Sequence, residues 1–279
     1  MTGPEPSPAP YLATGFRDVD RSGDTTACTN CLDLLSDIPF FRDIKQESFR
    51  IIAGTEPALV LDAGCGAGSD LAALAGLLPA TSRVMGLDAS ASLLATAAER
   101  TTPHRDRCVL IRGDLTNIPC RSGLFSACRI DRVLQHIPDP EQAIRELVRV
   151  LVPGGTLVAF DNDWDTLSIG TSDTDVSARL TRFWSDSFAS GRIGKDLAGI
   201  FHQAGLADIH AEPKTLMLTD LALAEKVFDL PALLGRMKQA GIFSEADITA
   251  ITTDLACRAE AGTFTSGYTG WLVRGRKPE

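Results

Sequence analysis

Three aspartates, each closing an apolar run, and one cluster of glycines have the types and spacing to do chemistry in this chain. The segment Leu59-Val60-Leu61-Asp62-Ala63-Gly64-Cys65-Gly66-Ala67-Gly68 sets a glycine loop between an apolar run and a helical pattern. Glycines there allow positive φ and let backbone N–H groups approach a ligand at the carboxyl edge of a strand. The spacing is G-x-G-x-G, not the G-x-G-x-x-G that seats a pyrophosphate on a helix N-terminus, and Asp62 stands two residues before the first glycine. A carboxylate at that point disfavours a pyrophosphate and suits an ammonium group or the water around one, which points to a nucleoside bearing an amino acid. Asp88, 20 residues beyond Gly68, can accept two hydrogen bonds from a ribose diol. Asp114, in Arg112-Gly113-Asp114-Leu115, can accept the exocyclic amine of an adenine. The three acids form a graded cradle: amino-acid end, ribose, base.

A second tier of candidates surrounds the cradle. His136 precedes Pro138-Asp139-Pro140 and is expected to face the cleft, as a general base, part of the cofactor shell or a loop anchor. Asp161, Asp163 and Trp164 follow the fifth apolar run, where an acid would orient or deprotonate a substrate and the indole would form a wall; a helix N-cap and a core aromatic are the competing reading. Arg129 and Arg132 flank Asp131 as ion-pair partners or site residues. Tyr11, Phe16, Phe40 and Phe41 lie upstream, in an entry segment able to fold over the cleft, with core packing the alternative for the two Phe. Cys65 reads as a small residue packed under the loop. Cys28 and Cys31 form a C-x-x-C with no second pair or histidines to complete four metal ligands.

The elements that must hold these residues follow from periodicity. Apolar runs at 59–61, 83–87, 108–111, 124–130 and 156–160 alternate with helical patterns at 69–77, 91–100 and 141–151, the signature of βα units building a parallel sheet. Pro153-Gly154-Gly155 stops the third helix. One or two helices are expected over 31–52. A helix around 194–204 leads to a β-like segment 206–212, and another β-like segment covers 268–273. Between those two segments the helical stretch 220–262 reads as a cap, and its Phe228, Leu230, Leu233, Leu234, Met237 and Phe243 point to a hydrophobic substrate pocket or a dimer interface.

Composition bounds the function classes. The chain has 279 residues and 44% hydrophobic content, sufficient for a large core. Its net charge of -9, with Arg and Lys scattered, disfavours nucleic acid and anionic membranes as partners. Seven cysteines are too few for a disulfide scaffold of this length and read as reduced thiols. No basic and apolar leader is present, and no apolar run reaches the roughly 18 residues of a membrane span. A cytoplasmic protein with no metal is expected.

Taken together, Val60-Leu61-Asp62-Ala63-Gly64-Cys65-Gly66-Ala67-Gly68, Gly86-Leu87-Asp88, Gly113-Asp114, Arg132-Val133-Leu134-Gln135-His136-Ile137 and Arg149-Val150-Leu151-Val152-Pro153-Gly154-Gly155 resemble the class I S-adenosylmethionine-dependent methyltransferases of the ubiquinone/menaquinone-biosynthesis type, over roughly residues 57 to 161. The resemblance implies a doubly wound, seven-stranded, mostly parallel α/β sheet with a reversed last strand. With the patterns outside it, the expected organisation is a core over 57–219 and 263–279, a disordered tail over 1–10, an N-terminal helical entry segment over 11–56 and the cap over 220–262. The resemblance also implies S-adenosyl-L-methionine as cofactor, with S-adenosyl-L-homocysteine as product. The residues expected around it are Asp62, Gly64, Cys65, Gly66, Gly68, Asp88, Ala89, Gly113, Asp114, Leu115, Arg129 and His136. His136, Asp161 and Asp163 are the catalytic candidates, and Tyr11, Phe16 and Trp164 those for substrate. The expected reaction is direct methyl transfer to an N, O or C nucleophile of a small molecule, a specialised metabolite, by a monomer or homodimer. The rivals are a natural-product cyclase or auxiliary enzyme on the same fold, a nicotinamide-dependent oxidoreductase, disfavoured by the glycine spacing, and a non-enzymatic interaction protein.

Overall fold

Strands covered by helices on both faces are apolar throughout rather than alternating, and five such runs form the parallel part of the sheet. They are β1 (Leu59–Ala63), β2 (Arg83–Asp88), β3 (Cys108–Arg112), β4 (Phe125–Asp131) and β5 (Leu151–Ile169). With β6 (Ala207–Leu218) and β7 (Ser266–Arg276) they make one seven-stranded sheet in the order β3-β2-β1-β4-β5-β7-β6. Strands β1 to β5 are mutually parallel, and β7 runs antiparallel to both β5 and β6. The computed structural model describes residues 15–16, 19–21 and 25–279; Tyr11 and the expected 1–10 tail lie outside the described residues.

Helices α1 (Thr25–Asp37) and α2 (Pro39–Ala53) precede the sheet, and α3 (Ser69–Leu77), α4 (Ala91–Arg100) and α5 (Pro140–Val150) connect its parallel strands. Local chemistry starts them where the sequence indicates. Ser90 Oγ accepts from the Leu93 N–H, and Asp139 accepts from the Gln142 N–H with Pro140 at the first helical position. The order of connection reverses at β1, between β2 and β4, so the carboxyl ends of these strands open a crevice there.

Two elements depart from expectation. Strand β5 does not end at Phe160 but continues to Ile169, because β7 pairs with it from Thr156↔Arg276 through Asp163↔Thr269 and again at Ile169↔Ser266. A helix α6 (Thr174–Ser187) follows, capped by Asp173, and precedes α7 (Ile193–Gln203). The cap folds as α8 (Leu221–Val227), α9 (Leu230–Gln239) and α10 (Glu245–Glu260), the last opened by a capping box between Ser244 and Asp247. Of its apolar residues Val227 reaches the main cavity, whereas the six singled out from the sequence do not line it and do not face outward. Phe228, Leu230, Leu233, Leu234, Met237 and Phe243 are buried in one core with Phe41, Trp164, Leu180, Trp184 and Tyr268, which ties the cap to α2, α6 and the far ends of β5 and β7.

Candidate functional site

A cavity of about 660 Å³ opens at the carboxyl ends of β1, β2 and β4. At one end it is edged by Gly64, Gly66, Asp88, Ala89, Asp114 and Leu115, with Gly113 beside them. Gly64 lies at φ +72, and a Cβ on it would come 2.4 Å from Val133 Cγ2, so only glycine allows the strand tip to approach the loop after β4. Three N–H groups of this loop are directed inward. Those of Gly64 and Cys65 both donate to Leu87 O (2.7 and 3.0 Å), and that of Gly66 donates to Asp88 Oδ2 (2.8 Å). At these three residues the loop therefore presents a close, bare backbone rather than the open donors expected of it. Asp88 Oδ1 accepts from the Ser90 N–H (2.9 Å), so each oxygen carries one backbone bond and retains acceptor capacity. Burial raises its pKa, against the pull of those bonds. Asp114 Oδ1 is held by Thr116 through both N–H and hydroxyl (2.8 Å each).

Four residues expected at the cofactor do not line the cavity. Asp62 lies beneath the loop, where its Oδ1 meets Arg129 Nη1 at 2.9 Å. Arg129 also binds Asp70 (2.9 Å) and Asp131 (2.6 Å), donates to Ser48 Oγ from Nε (2.9 Å) and sits 4.9 Å over the Phe49 ring. Lys45 meets Asp70 at 2.8 Å and Arg132 meets Asp131 at 3.0 Å, which completes a cluster of three cations and three carboxylates clamping α2 to the sheet. Burial pushes the Asp62 carboxyl up to about 6 against the pull of Arg129. Removed from water and already paired, Asp62 and Arg129 are in no position to meet an amino group or a sulfonium. Cys65 points into the core against Gly86, and burial pushes its thiol well up. Gly68 caps α3 at φ +80, packed on Ala97.

The other end of the cavity is aromatic. Because side chains alternate along a strand, the continuation of β5 sends Asn162 and Trp164 to the cavity and Asp161 and Asp163 to the opposite face. Asp161 is 0% exposed and accepts from the backbone N–H of Asn162 (2.9 Å) and Gln135 (3.2 Å). Asp163 is buried facing Lys195 at 3.7 Å. Burial raises both carboxyls, that of Asp161 to about 7. Neither reaches the cavity, which corrects their reading as catalytic acids in the cleft. Trp164 stacks on Phe188 (5.2 Å, 23°) and meets Tyr268 at 4.4 Å, while Trp184 and Phe41 extend the wall.

Gln135 organises this end. Its Oε1 accepts from Trp164 Nε1 (2.8 Å) and Asn162 Nδ2 (3.1 Å), which sets the amide orientation and turns Nε2 toward Arg132 O (3.2 Å) and His136 Nε2 (3.2 Å). With Gln135 donating, His136 Nε2 accepts, and a neutral imidazole carries its proton on Nδ1. The ring lies between Phe16 (5.6 Å) and Phe188 (5.5 Å) on the cavity wall. Arg132 has φ +55, and its guanidinium lies 4.5 Å over Phe41. A short helical turn, Val19–Arg21, crosses above the β2 end, where Asp20 accepts from the Ser90 and Ser92 hydroxyls (2.6 and 2.7 Å) and the Ala91 N–H (2.9 Å). Of the C-x-x-C pair, Cys31 lines the cavity and Cys28 is buried; among the described residues no group of three or more His, Cys, Asp or Glu is placed to hold a metal.

Gln135, Asn162, Trp184, Phe188 and Tyr268 join the site without having been among its expected residues. Only Asn162 carried a local signal, since a period of two places it with Trp164 once β5 is extended.

The family model described as a methyltransferase domain matches residues 61–159. The chain is 36% identical over 211 residues to the uncharacterized 37.1 kDa protein in transposon TN4556 of Streptomyces fradiae, covering 75% of this chain and 61% of that protein. It is 40% identical over 122 residues to the demethylmenaquinone methyltransferase of Lactiplantibacillus plantarum, covering 43% of this chain and 52% of that one. The chain thus spans less than two thirds of the length of either relative. The YcgJ protein of Bacillus subtilis shares the fold with a TM-score of 0.59 at 17% identity, over 85% of this chain and 99% of that one.

Proposed function

We propose that the α/β core of this chain, which matches a methyltransferase domain over residues 61–159, is that of a class I S-adenosylmethionine-dependent methyltransferase of the ubiquinone/menaquinone-biosynthesis type, and that the protein binds S-adenosyl-L-methionine at the glycine-loop end of its cavity and methylates a small molecule held at the aromatic end. The observation that carries the reading is the continuity of one cavity whose two ends differ in chemistry: Asp88, Asp114 and bare glycine backbone at one, aromatic rings at the other. The residues fit the group. Asp88 keeps acceptor capacity on both oxygens for a ribose diol, Asp114 and Leu115 edge the place of a purine, and Gly64 and Gly66 leave room for the methionine chain.

Bound there, S-adenosylmethionine supplies an electrophilic methyl group on a positively charged sulfur. The chain's own contribution is to hold the acceptor in a narrow apolar space and to exclude water, an effect on the order of several kcal/mol. His136 serves as a wall whose orientation is set by Gln135, and acting as a base requires the Gln135 bond to give way. Asp131, on the cavity edge, is engaged by Arg129 and Arg132. These engaged bases favour an acceptor that needs no strong base, and they also favour the alternative in which the bound cofactor shapes the pocket without giving up its methyl. Whether the acceptor atom is N, O or C, the specialised-metabolite substrate and a cytoplasmic monomer or homodimer belong to the proposal. Among the described residues no helix is long and apolar enough to cross a membrane.

Calorimetry tests the reading. Asp88→Ala removes an acceptor of two hydrogen bonds at about 1.5–3 kcal/mol each, so affinity for S-adenosylmethionine should fall at least about 100-fold. Unchanged affinity would refute the cradle, and formation of S-adenosylhomocysteine with an acceptor separates transfer from the auxiliary role.

A further inference from the structure

We propose that Asn162 and Tyr268 together recognise a hydroxyl group on an uncharged, flat acceptor, a specificity role that rests on the reading of this cavity as an acceptor site. The two residues project from one face of the sheet. Asn162 pairs with Gly270 across β5 and β7, and Tyr268 lies two residues from Gly270 on the same face, a diagonal relation within reach of an aromatic side chain. Both line the cavity and each is 2% exposed, yet Asn162 Oδ1 and Tyr268 Oη are buried without a hydrogen-bond partner among the described residues. A buried polar atom left unpaired is costly, so two of them beside one cavity call for a ligand group.

Their chemistry says which group. The Asn162 amide is oriented by Gln135, whose Oε1 takes the Nδ2 hydrogen at 3.1 Å and is itself fixed by Trp164, so the unpartnered Oδ1 is an acceptor only. Burial pushes the Tyr268 phenol well above its usual range, so it stays protonated and able to donate. One hydroxyl oxygen satisfies both, donating to Asn162 and accepting from Tyr268. A carboxylate has no hydrogen to offer Oδ1. An ammonium group cannot accept from Tyr268, because it has no lone pair to offer. The rings of Trp164, Phe188 and Tyr268 touch one another, with the Trp164 centroid 5.2 Å from that of Phe188 and 4.4 Å from that of Tyr268, and form one continuous aromatic wall for a flat apolar body to lie against.

The experiment is calorimetric titration of the S-adenosylhomocysteine-loaded protein with 2-naphthol, naphthalene, 2-naphthoate and 2-naphthylmethylammonium. The expected result is 2-naphthol binding about tenfold more tightly than naphthalene, and more tightly than either ion. In Tyr268→Phe and in Asn162→Ala that preference should shrink toward one, while Tyr268→Phe leaves the melting temperature unchanged or raised, since it removes an unpaired hydroxyl. A purely structural tyrosine would lower it. Equal affinity for 2-naphthol and naphthalene, a preference for an ion, failure of 2-naphthol to bind, or a preference surviving both substitutions overturns the inference. Failure of S-adenosylhomocysteine to load tells against the methyltransferase reading instead.

Discussion

Asp161→Asn separates catalysis from architecture at a residue that its sequence position nominates as a catalytic acid. The carboxyl is fully buried, and burial raises it from 3.8 to about 7, with the N–H groups of Asn162 and Gln135 opposing and Asp131 adding to the rise. The folded state therefore holds the proton more tightly than the unfolded chain. Below about pH 4 both states are protonated and the group contributes its full stability. Between about pH 4 and 7 the unfolded chain releases the proton first, so stability falls as pH rises, by up to about 1.4 kcal/mol per pH unit. Above about pH 7 both states are ionised and the slope vanishes. The interval from 3.8 to about 7 thus corresponds to about 4 kcal/mol. Asparagine cannot titrate. The assay is urea denaturation of wild type and Asp161→Asn from about pH 4 to 8, and the difference in unfolding free energy should decline by about that amount and then level off. A flat or rising difference refutes the buried-carboxylate account. Complete loss of turnover in a variant of undiminished stability would return Asp161 to the chemistry.

Two further outcomes follow from the same packing. Arg129→Met leaves Asp62, Asp70 and Asp131 around an apolar side chain where each now meets a guanidinium nitrogen within 2.9 Å. Removing one partner of a buried ionic cluster costs roughly 3–5 kcal/mol, readable by urea denaturation, and a loss under about 1 kcal/mol would show the cluster to be dispensable. Gly64→Ala and Gly76→Ala form a matched pair. At Gly64 the added Cβ lies 2.4 Å from Val133 at positive φ, and at Gly76 in α3 it meets nothing within 4 Å. The first should destabilise by roughly 2 kcal/mol or more and abolish cofactor binding, and the second should stabilise by about 0.5–1 kcal/mol; melting curves with equal shifts for both would contradict the geometry.

How far the site could be read in advance depended on the range of the interactions involved. The parallel strands are legible because burial on both faces makes them short apolar runs, and α3 because the glycine loop ending at Gly68 marks its start. Strand β5 was cut short because Asp161-Asn162-Asp163-Trp164-Asp165 is polar, and what keeps it extended is β7, roughly a hundred residues away. That single omission placed Asp161, Asp163 and Trp164 together in the cleft, whereas alternation separates the acids from the indole. Helix α6 was missed although Val176, Leu180, Phe183 and Trp184 recur at helical intervals, because Asp, Ser, Thr and Arg dilute the pattern.

By itself the sequence determined the doubly wound core, the glycine turn after β1 and the carboxylates at the ends of β2 and β3, since each is written within a few neighbouring residues. Tertiary structure alone decided which of the acids face a ligand. Asp62 is withdrawn by Arg129, 67 positions away, while Asp88 stays on the cavity. It also decided the aromatic end, where α2, β5, α6 and β7 bring Phe41, Trp164, Trp184 and Tyr268 together. The physical reason is that a strand end or turn is specified by local sterics and hydrogen bonding, whereas the pairing of a buried charge and the facing of a side chain are settled only when distant segments pack.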